Sequence, residues 1–216
     1  MTATRTDGRL ERGRQTRRLV LGRTMEIASV EGLEGLSIGR VAAELGLSKS
    51  GVFALFGSKE ELQLATVRAA TAVYVEHVVR PAEETPAGLG RVCALIRNWL
   101  AYSRERVFPG GCFFFSSSVE FGAREGAVHD ALAARRTEWT GYVRRTLEEA
   151  RVLGGLHADT DVDQLAFELI ALLETANVQS VLSRDDAGYD RAAAGMLARL
   201  RAAATDPQAL PDTLAG

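Results

Sequence analysis

Seven arginines crowd the first 23 residues: Arg5, Arg9, Arg12, Arg14, Arg17, Arg18 and Arg23, opposed there only by Asp7 and Glu11. A guanidinium holds phosphate by charge and by paired hydrogen bonds. Such an arm suits an anionic polymer, provided a reading element stands beside it. Residues 1–59 carry ten Lys/Arg against six Asp/Glu, a balance of +4, while the whole chain is −2. The basic charge is therefore confined to the start, and the rest is acidic. Residues 1–13 read as a flexible basic arm. A mitochondrial transit peptide is disfavoured by Asp7, Glu11 and the lack of serine enrichment.

The reading element follows at residues 37–62, SIGRVAAELGLSKSGVFALFGSKEEL. Ser37 can cap a helix whose apolar positions Ile38, Val41, Ala42 and Leu45 recur at helical spacing. Gly46 suits the left-handed residue that ends it, and Leu47 points inward from the turn. Ser48 can cap the next helix, leaving Lys49, Ser50 and Gly51 at its N-terminus. Val52 and Phe56 continue the buried face. Ser58 and Glu61 form a capping box that starts a third helix. Two short helices joined by a tight turn make a helix-turn-helix, which places one helix in a DNA major groove.

Residues 14–62 resemble the N-terminal domain of TetR-family transcriptional repressors. The resemblance rests on the run Lys49, Ser50, Gly51, Val52, Phe53, Ala54, Leu55, Phe56, Gly57, Ser58, Lys59, Glu60, Glu61, Leu62, which follows the family pattern K-x-G-x-(aromatic)-x-x-F-x-S-K-E-x-L. It implies backbone contacts from Arg14, Thr16, Arg17 and Arg18. It implies phosphate or base-edge contacts from Ser37 and Arg40, and a leading end of the recognition helix at Ser48, Lys49, Ser50 and Gly51. Lys59 matches a phosphate-clamping lysine. Phe53 stands where the family usually has Tyr, and Leu55 where it has Tyr or His. Neither can donate a hydrogen bond to phosphate. Leu55 keeps two readings, a thymine methyl or the groove wall.

The rest of the chain reads as helix. Residues 59–80 form a long segment ended by Pro81, and 89–107 a second, broken by Pro109, Gly110 and Gly111. The apolar run from Cys112 leads into a short helix through Phe121. Helices at 127–153, 161–183 (capped by Thr160) and 187–204 (capped by Asp185 or Asp186) follow, then a loose tail at 205–216. The expected architecture is all-α: a three-helix DNA-binding domain over 14–60 and a larger helical ligand-binding and dimerisation domain over 61–204.

Segment 161–183 is apolar around most of its circumference. Leu165, Leu169, Leu172 and Ala176 make one stripe, and Phe167, Ala171, Val178 and Val181 another. Such a helix must be covered on two sides. The resemblance implies a four-helix dimer bundle built from 161–183 and 187–204. A homodimer would present two recognition helices to a palindromic operator, about one DNA turn (~34 Å) or more apart.

The resemblance also implies a small-molecule cavity among the C-terminal helices. Aromatic residues there are candidates to line it: Trp99, Tyr102, Phe115, Phe121, Trp139 and Phe167. Each singly is better read as core. Polar residues on apolar faces are sharper pointers, since burying them unpaired is costly. These are Glu174, Asn177, Asn98 and Glu120, with Glu174 balanced between a ligand and an arginine across the dimer interface.

Composition bounds the remainder. The chain of 216 residues is 46% hydrophobic and 25% charged, enough for two small domains. No apolar run is read as approaching the ~20 residues that span a bilayer, and no signal peptide is visible. Cys93 and Cys112 suit free thiols in a reducing cytoplasm. His77, His129 and His157 lack metal-ligand spacing, so no metal or cofactor is expected. No nucleophile–base pair or phosphate loop suggests an enzyme. The expectation is a repressor released from its operator by an apolar or amphipathic ligand. The alternative is a small all-α enzyme or thiol-based binding protein with a basic arm.

Overall fold

In a computed structural model, residues 3–215 are described, with side chains from residue 11 onward. Ten α-helices follow one another: α1 Ala3–Glu31, α2 Ile38–Glu44, α3 Lys49–Phe56, α4 Lys59–Tyr74, α5 Arg80–Glu83, α6 Leu89–Arg104, α7 Phe113–Phe121, α8 Ala127–Val152, α9 Val162–Ser183 and α10 Ala187–Ala203. Short 3₁₀ turns cover Leu33–Gly35 and Pro207–Ala209. Among the described residues the extended backbone pairs only at an isolated antiparallel bridge, Leu156 to Ala204. The all-α expectation stands.

Contacts divide the chain into two compact units. The first holds residues 1–72 and 113–132, the second residues 73–112 and 133–216. The boundary expected at residue 60 therefore moves. The first unit takes in most of α4, all of α7 and the start of α8, and Phe113, Phe121 and Val128 in these segments are buried.

Three local expectations need correction. Pro81 does not end the helix that starts at Lys59. A π turn over Val75–Val79 precedes it, and helix continues to Glu83 with Pro81 in the first turn of α5. Proline has no N–H and crowds the carbonyl four residues back, and the wider turn relieves both. Asp161, not Thr160, caps α9, accepting from Gln164 N at 2.9 Å. The tail is not loose: Leu214 is fully buried and Leu210 nearly so, and Arg201 donates to the Pro211 carbonyl at 3.0 Å. Two leucines spaced along a polar segment give it an apolar edge, and their burial offsets the loss of chain freedom.

At the other end, the segment expected as an arm over 1–13 continues α1 back to Ala3; Met1 and Thr2, and the side chains of Arg5 and Arg9, lie outside the described residues.

In the second unit, α9 and α10 are neighbours along their length. Gly188 makes the close approach possible, since a Cβ there would meet the Ala176 carbonyl at 3.1 Å. Leu165, Leu169, Ile170 and Leu173 of α9 are buried, with Tyr189, Met196 and Leu200 of α10. By length and composition α9 could cross a membrane, at a mean hydropathy of 1.4, contrary to the reading of no such run. Its apolar character has another use here, because nearly half of it is packed inside the unit.

Candidate nucleic-acid interface and ligand cavity

The reading head forms as its caps dictate. Ser37 Oγ accepts from Arg40 N at 3.1 Å, Ser48 Oγ from Gly51 N at 3.0 Å, and Ser58 Oγ from Glu61 N at 3.0 Å. Each bond satisfies an N–H that the first helical turn leaves without a partner. Gly46 is left-handed at φ +64°, and Leu47 N reaches back to the Ala42 carbonyl at 2.8 Å. Val41, Ala42 and Val52 lock α2 against α3 in the core. The turn thus fixes the leading end of α3 in the open.

Lys49, Ser50, Gly51 and Phe53 are exposed there, Phe53 by 53%. A Cβ on Gly39 would lie 3.8 Å from Lys49 Cε, so the lysine stem runs beside the first turn of α2. Arg14 and Arg18 are exposed on α1, Arg14 within 3.8 Å of Glu11.

Other basic residues of the head are engaged within it. Arg17 Nη1 donates to the Leu55 carbonyl at 2.8 Å, and its guanidinium lies 4.5 Å from the centre of the Phe56 ring. Leu55 itself is half-buried. Lys59 Nζ donates to the Glu34 carbonyl and carboxylate, both at 2.8 Å. Arg40 is held by Glu31 and Glu44, and Glu44 also takes Arg23 Nε at 2.6 Å. Hydrogen bonds from Arg40 hold the Glu31 and Glu44 carboxyls below the usual carboxylate range, and raise Arg40 in turn. The bond from Lys59 does the same to Glu34.

Glu120 belongs to this unit. Its carboxylate accepts from Leu33 N at 2.8 Å and Glu34 N at 2.9 Å, capping the turn between α1 and α2. Gly32, at φ +83°, makes room: a Cβ there would lie 2.6 Å from Glu120 Oε1.

The second unit holds an apolar cavity lined by Ile96 of α6, Trp139, Val143 and Thr146 of α8, and Leu169, Ile170 and Leu173 of α9, among others. Its free volume is ≈ 10 Å³, about the room of one water molecule. The aromatic residues beside these helices pack on one another. Tyr74 stands edge-on to Tyr102 and Trp139, with centroids 5.4 and 5.3 Å apart, and Tyr102 to Phe108 at 5.9 Å. Burial pushes the Tyr74 phenol well up. Polar groups are matched in the same way. Asn177 Oδ1 accepts from Cys112 N at 2.8 Å and from Ser103 Oγ at 3.1 Å, and Tyr189 joins Ser103 at 2.7 Å.

The C-terminal part matches the family model described as "Tetracyclin repressor-like, C-terminal domain" over residues 88–196, about half of the chain. The model "Bacterial regulatory proteins, tetR family" matches residues 20–66. The chain belongs to the TetR family. Structures of TetR-family regulators share its fold. One from Cytophaga hutchinsonii has a TM-score of 0.79 at 18% identity, covering 90% of this chain and 98% of that one. One from Streptomyces coelicolor has 0.75 at 24%, covering 94% and 96%. A cysteine mutant of the regulator CifR, complexed with 26-bp double-strand operator DNA, has 0.71 at 26%, covering 86% and 95%. No curated protein matches the chain.

TetR membership makes this a DNA-binding transcription regulator, and the window that carried the resemblance lies largely within the matched residues. The expected ligand residues fare differently. Trp139 lines the cavity; Trp99 and Tyr102 are buried in the second unit, and Asn98 Nδ2 donates to the Val78 carbonyl at 3.2 Å. Phe115, Glu120 and Phe121 belong to the first unit. Phe167 is 67% exposed. Glu174 is bound by both terminal nitrogens of Arg136 of its own chain, which is neither of the readings weighed for it. The aliphatic lining was missed. Its signal was the helical spacing Val92–Leu95–Ile96 and Leu169–Ile170–Leu173, which reads equally as core.

Proposed function

We propose that this TetR-family protein is a homodimeric repressor that binds a palindromic operator and is released by a small apolar or amphipathic ligand, acting in the cytoplasm. The observation that carries the reading is the leading end of α3, where Lys49, Ser50 and Phe53 stand exposed beside the Ser48 cap. Ser37 and Ser48, whose oxygens accept within the caps, keep hydroxyl hydrogens to donate to phosphate, and Arg14 and Arg18 supply charge. Phe53 offers an apolar contact where the family commonly donates a hydrogen bond.

Dimerisation is supported by the outer face of α9. Phe167, Val178, Val181 and Leu182 are exposed by 36 to 78% on a helix whose other face is filled. A second copy covering them would give the bundle that the family resemblance implies. The cavity supports an apolar ligand, and its small volume says what binding requires. The ligand must select a conformer with α6, α8 and α9 spread apart. The helix that starts at Lys59 then acts as the lever to the heads. Reversing a 99:1 preference takes about 10⁴-fold tighter binding to the spread state. Burial raises the Cys93 thiol, which keeps it protonated and argues against a thiol-based function.

Selection from random duplex DNA tests the reading. An enriched palindrome, weakened by Lys49→Ala, is expected; no enriched sequence at moderate salt would overturn it.

A further inference from the structure

Arg40 is held as a fork. Its Nη1 and Nη2 donate to the two oxygens of Glu31 at 2.5 and 2.7 Å, and its Nε donates to Glu44 at 2.8 Å. The other Glu44 oxygen takes Arg23, whose Nη1 donates to Glu26 at 2.8 Å. Two guanidiniums thus meet three carboxylates, and the cluster carries net negative charge. It is not buried: the side chains of Arg40, Glu31 and Glu44 are 37%, 45% and 28% exposed. Arg40 also lies at the start of α2, one residue from the Gly39 that Lys49 runs beside. A cation at the reading end of the head therefore arrives with its anions already attached.

We infer that Glu31 and Glu44 set the head's preference for its operator over other DNA, by acting as built-in counterions to Arg40. The inference rests on the DNA-binding reading above. A phosphate presents two oxygens to a guanidinium much as a carboxylate does. Exchanging Glu31 for a random phosphate therefore trades like for like. The cation displaced from the phosphate is matched by one drawn to the bared Glu31, so no net ion release is gained, although that release is the main drive for sequence-independent binding. The exchange also leaves Glu31 without its arginine near the DNA backbone. Arg40 then adds little on arbitrary sequence. A site that places base-edge acceptors and phosphates together can draw it off its carboxylates, because many contacts form at once. Glu31 and Glu44 are positioning residues in this account and need not touch DNA.

The test uses the full chain, the selected operator and a random duplex of equal length, with binding measured across a range of salt. In Glu31→Gln, affinity for the random duplex rises, by up to about eightfold at 0.1 M salt, and the slope of log K against log salt steepens by about 0.9, the value of one further phosphate contact. Operator affinity changes less, so the ratio of operator to random binding falls. Glu44→Gln moves the same way. In an Arg40→Ala background Glu31→Gln moves both DNAs alike and no longer changes the ratio of operator to random binding. A purely structural function for Glu31 would lower the melting temperature and weaken both complexes equally, with the slope unchanged. That outcome, or an unchanged ratio and slope in both single variants, overturns the inference. A wild-type protein that binds neither DNA overturns the DNA reading itself, and this inference with it.

Discussion

The two units of the chain handle polar groups in opposite ways. In the first, serines and carboxylates serve helix ends at the surface, and the groups offered to DNA are exposed. In the second, Asn177, Ser103 and Tyr189 are buried and matched to one another, and the cavity is lined by apolar side chains with Thr146. Removing a surface group should cost binding and spare the fold. Removing a buried one should cost the fold, because a buried donor without a partner loses its hydration as well.

The largest effect expected is from Asn177→Ala. It deprives Cys112 N and Ser103 Oγ of an acceptor and should lower stability by about 2–4 kcal/mol, read from urea unfolding followed by tryptophan fluorescence. A loss below about 1 kcal/mol would erase the contrast. Next, Ile170→Phe overfills the cavity. It should cost about 1–3 kcal/mol and abolish release by a ligand while the operator is still bound. Retained release would place the ligand elsewhere. Lys49→Ala should weaken operator binding by about tenfold at 0.1 M salt and change stability by less than about 0.5 kcal/mol, as gel shift and thermal melting would show. Glu120→Ala tests a mixed case, a half-buried cap in the surface-built unit. Loss of two bonds to Leu33 and Glu34 should cost about 1–2 kcal/mol, with Glu120→Gln milder. The smallest effect concerns pH. Lys59 lowers the Glu34 pKa in the folded state, so this pair stabilises above the ordinary glutamate value of 4.5 and is lost as pH falls through the lowered one. The pair is 45% exposed on its acidic side, so Glu34→Gln should flatten the acid limb of stability by only a few tenths of a kcal/mol.

The same contrast explains what was legible in the sequence. Ser37, Gly46, Ser48 and Ser58 act within four residues of themselves, so their function can be read locally. Glu120 serves Leu33 and Glu34, which lie far back in the chain, and no periodicity announces that pairing. Glu174 was noticed as a charge on an apolar face, but its partner Arg136 is set by how α8 meets α9. A cavity was expected, but of its lining only Trp139 was named, because aromatic rings were sought and most of the space is lined by aliphatic side chains. Arg40, Lys59 and Arg17 read as DNA contacts, and their partners within the head, carboxylates for the first two and the Leu55 carbonyl for the third, leave no local trace. The helices themselves were placed closely; the misses came at the expected arm, which continues α1, at Pro81, where a π turn changed the rule, at the cap of α9 and in the tail.

The first unit has one further consequence. Its two pieces, residues 1–72 and 113–132, are separated by residues 73–112. During synthesis the first piece emerges alone and waits while that stretch is made, about 2–8 s at the usual pace. Until then the turn at Leu33 lacks its Glu120 cap and the core lacks Phe113 and Phe121. A nascent head is therefore an unfinished one, and it gains its full set of contacts only when α7 has been made.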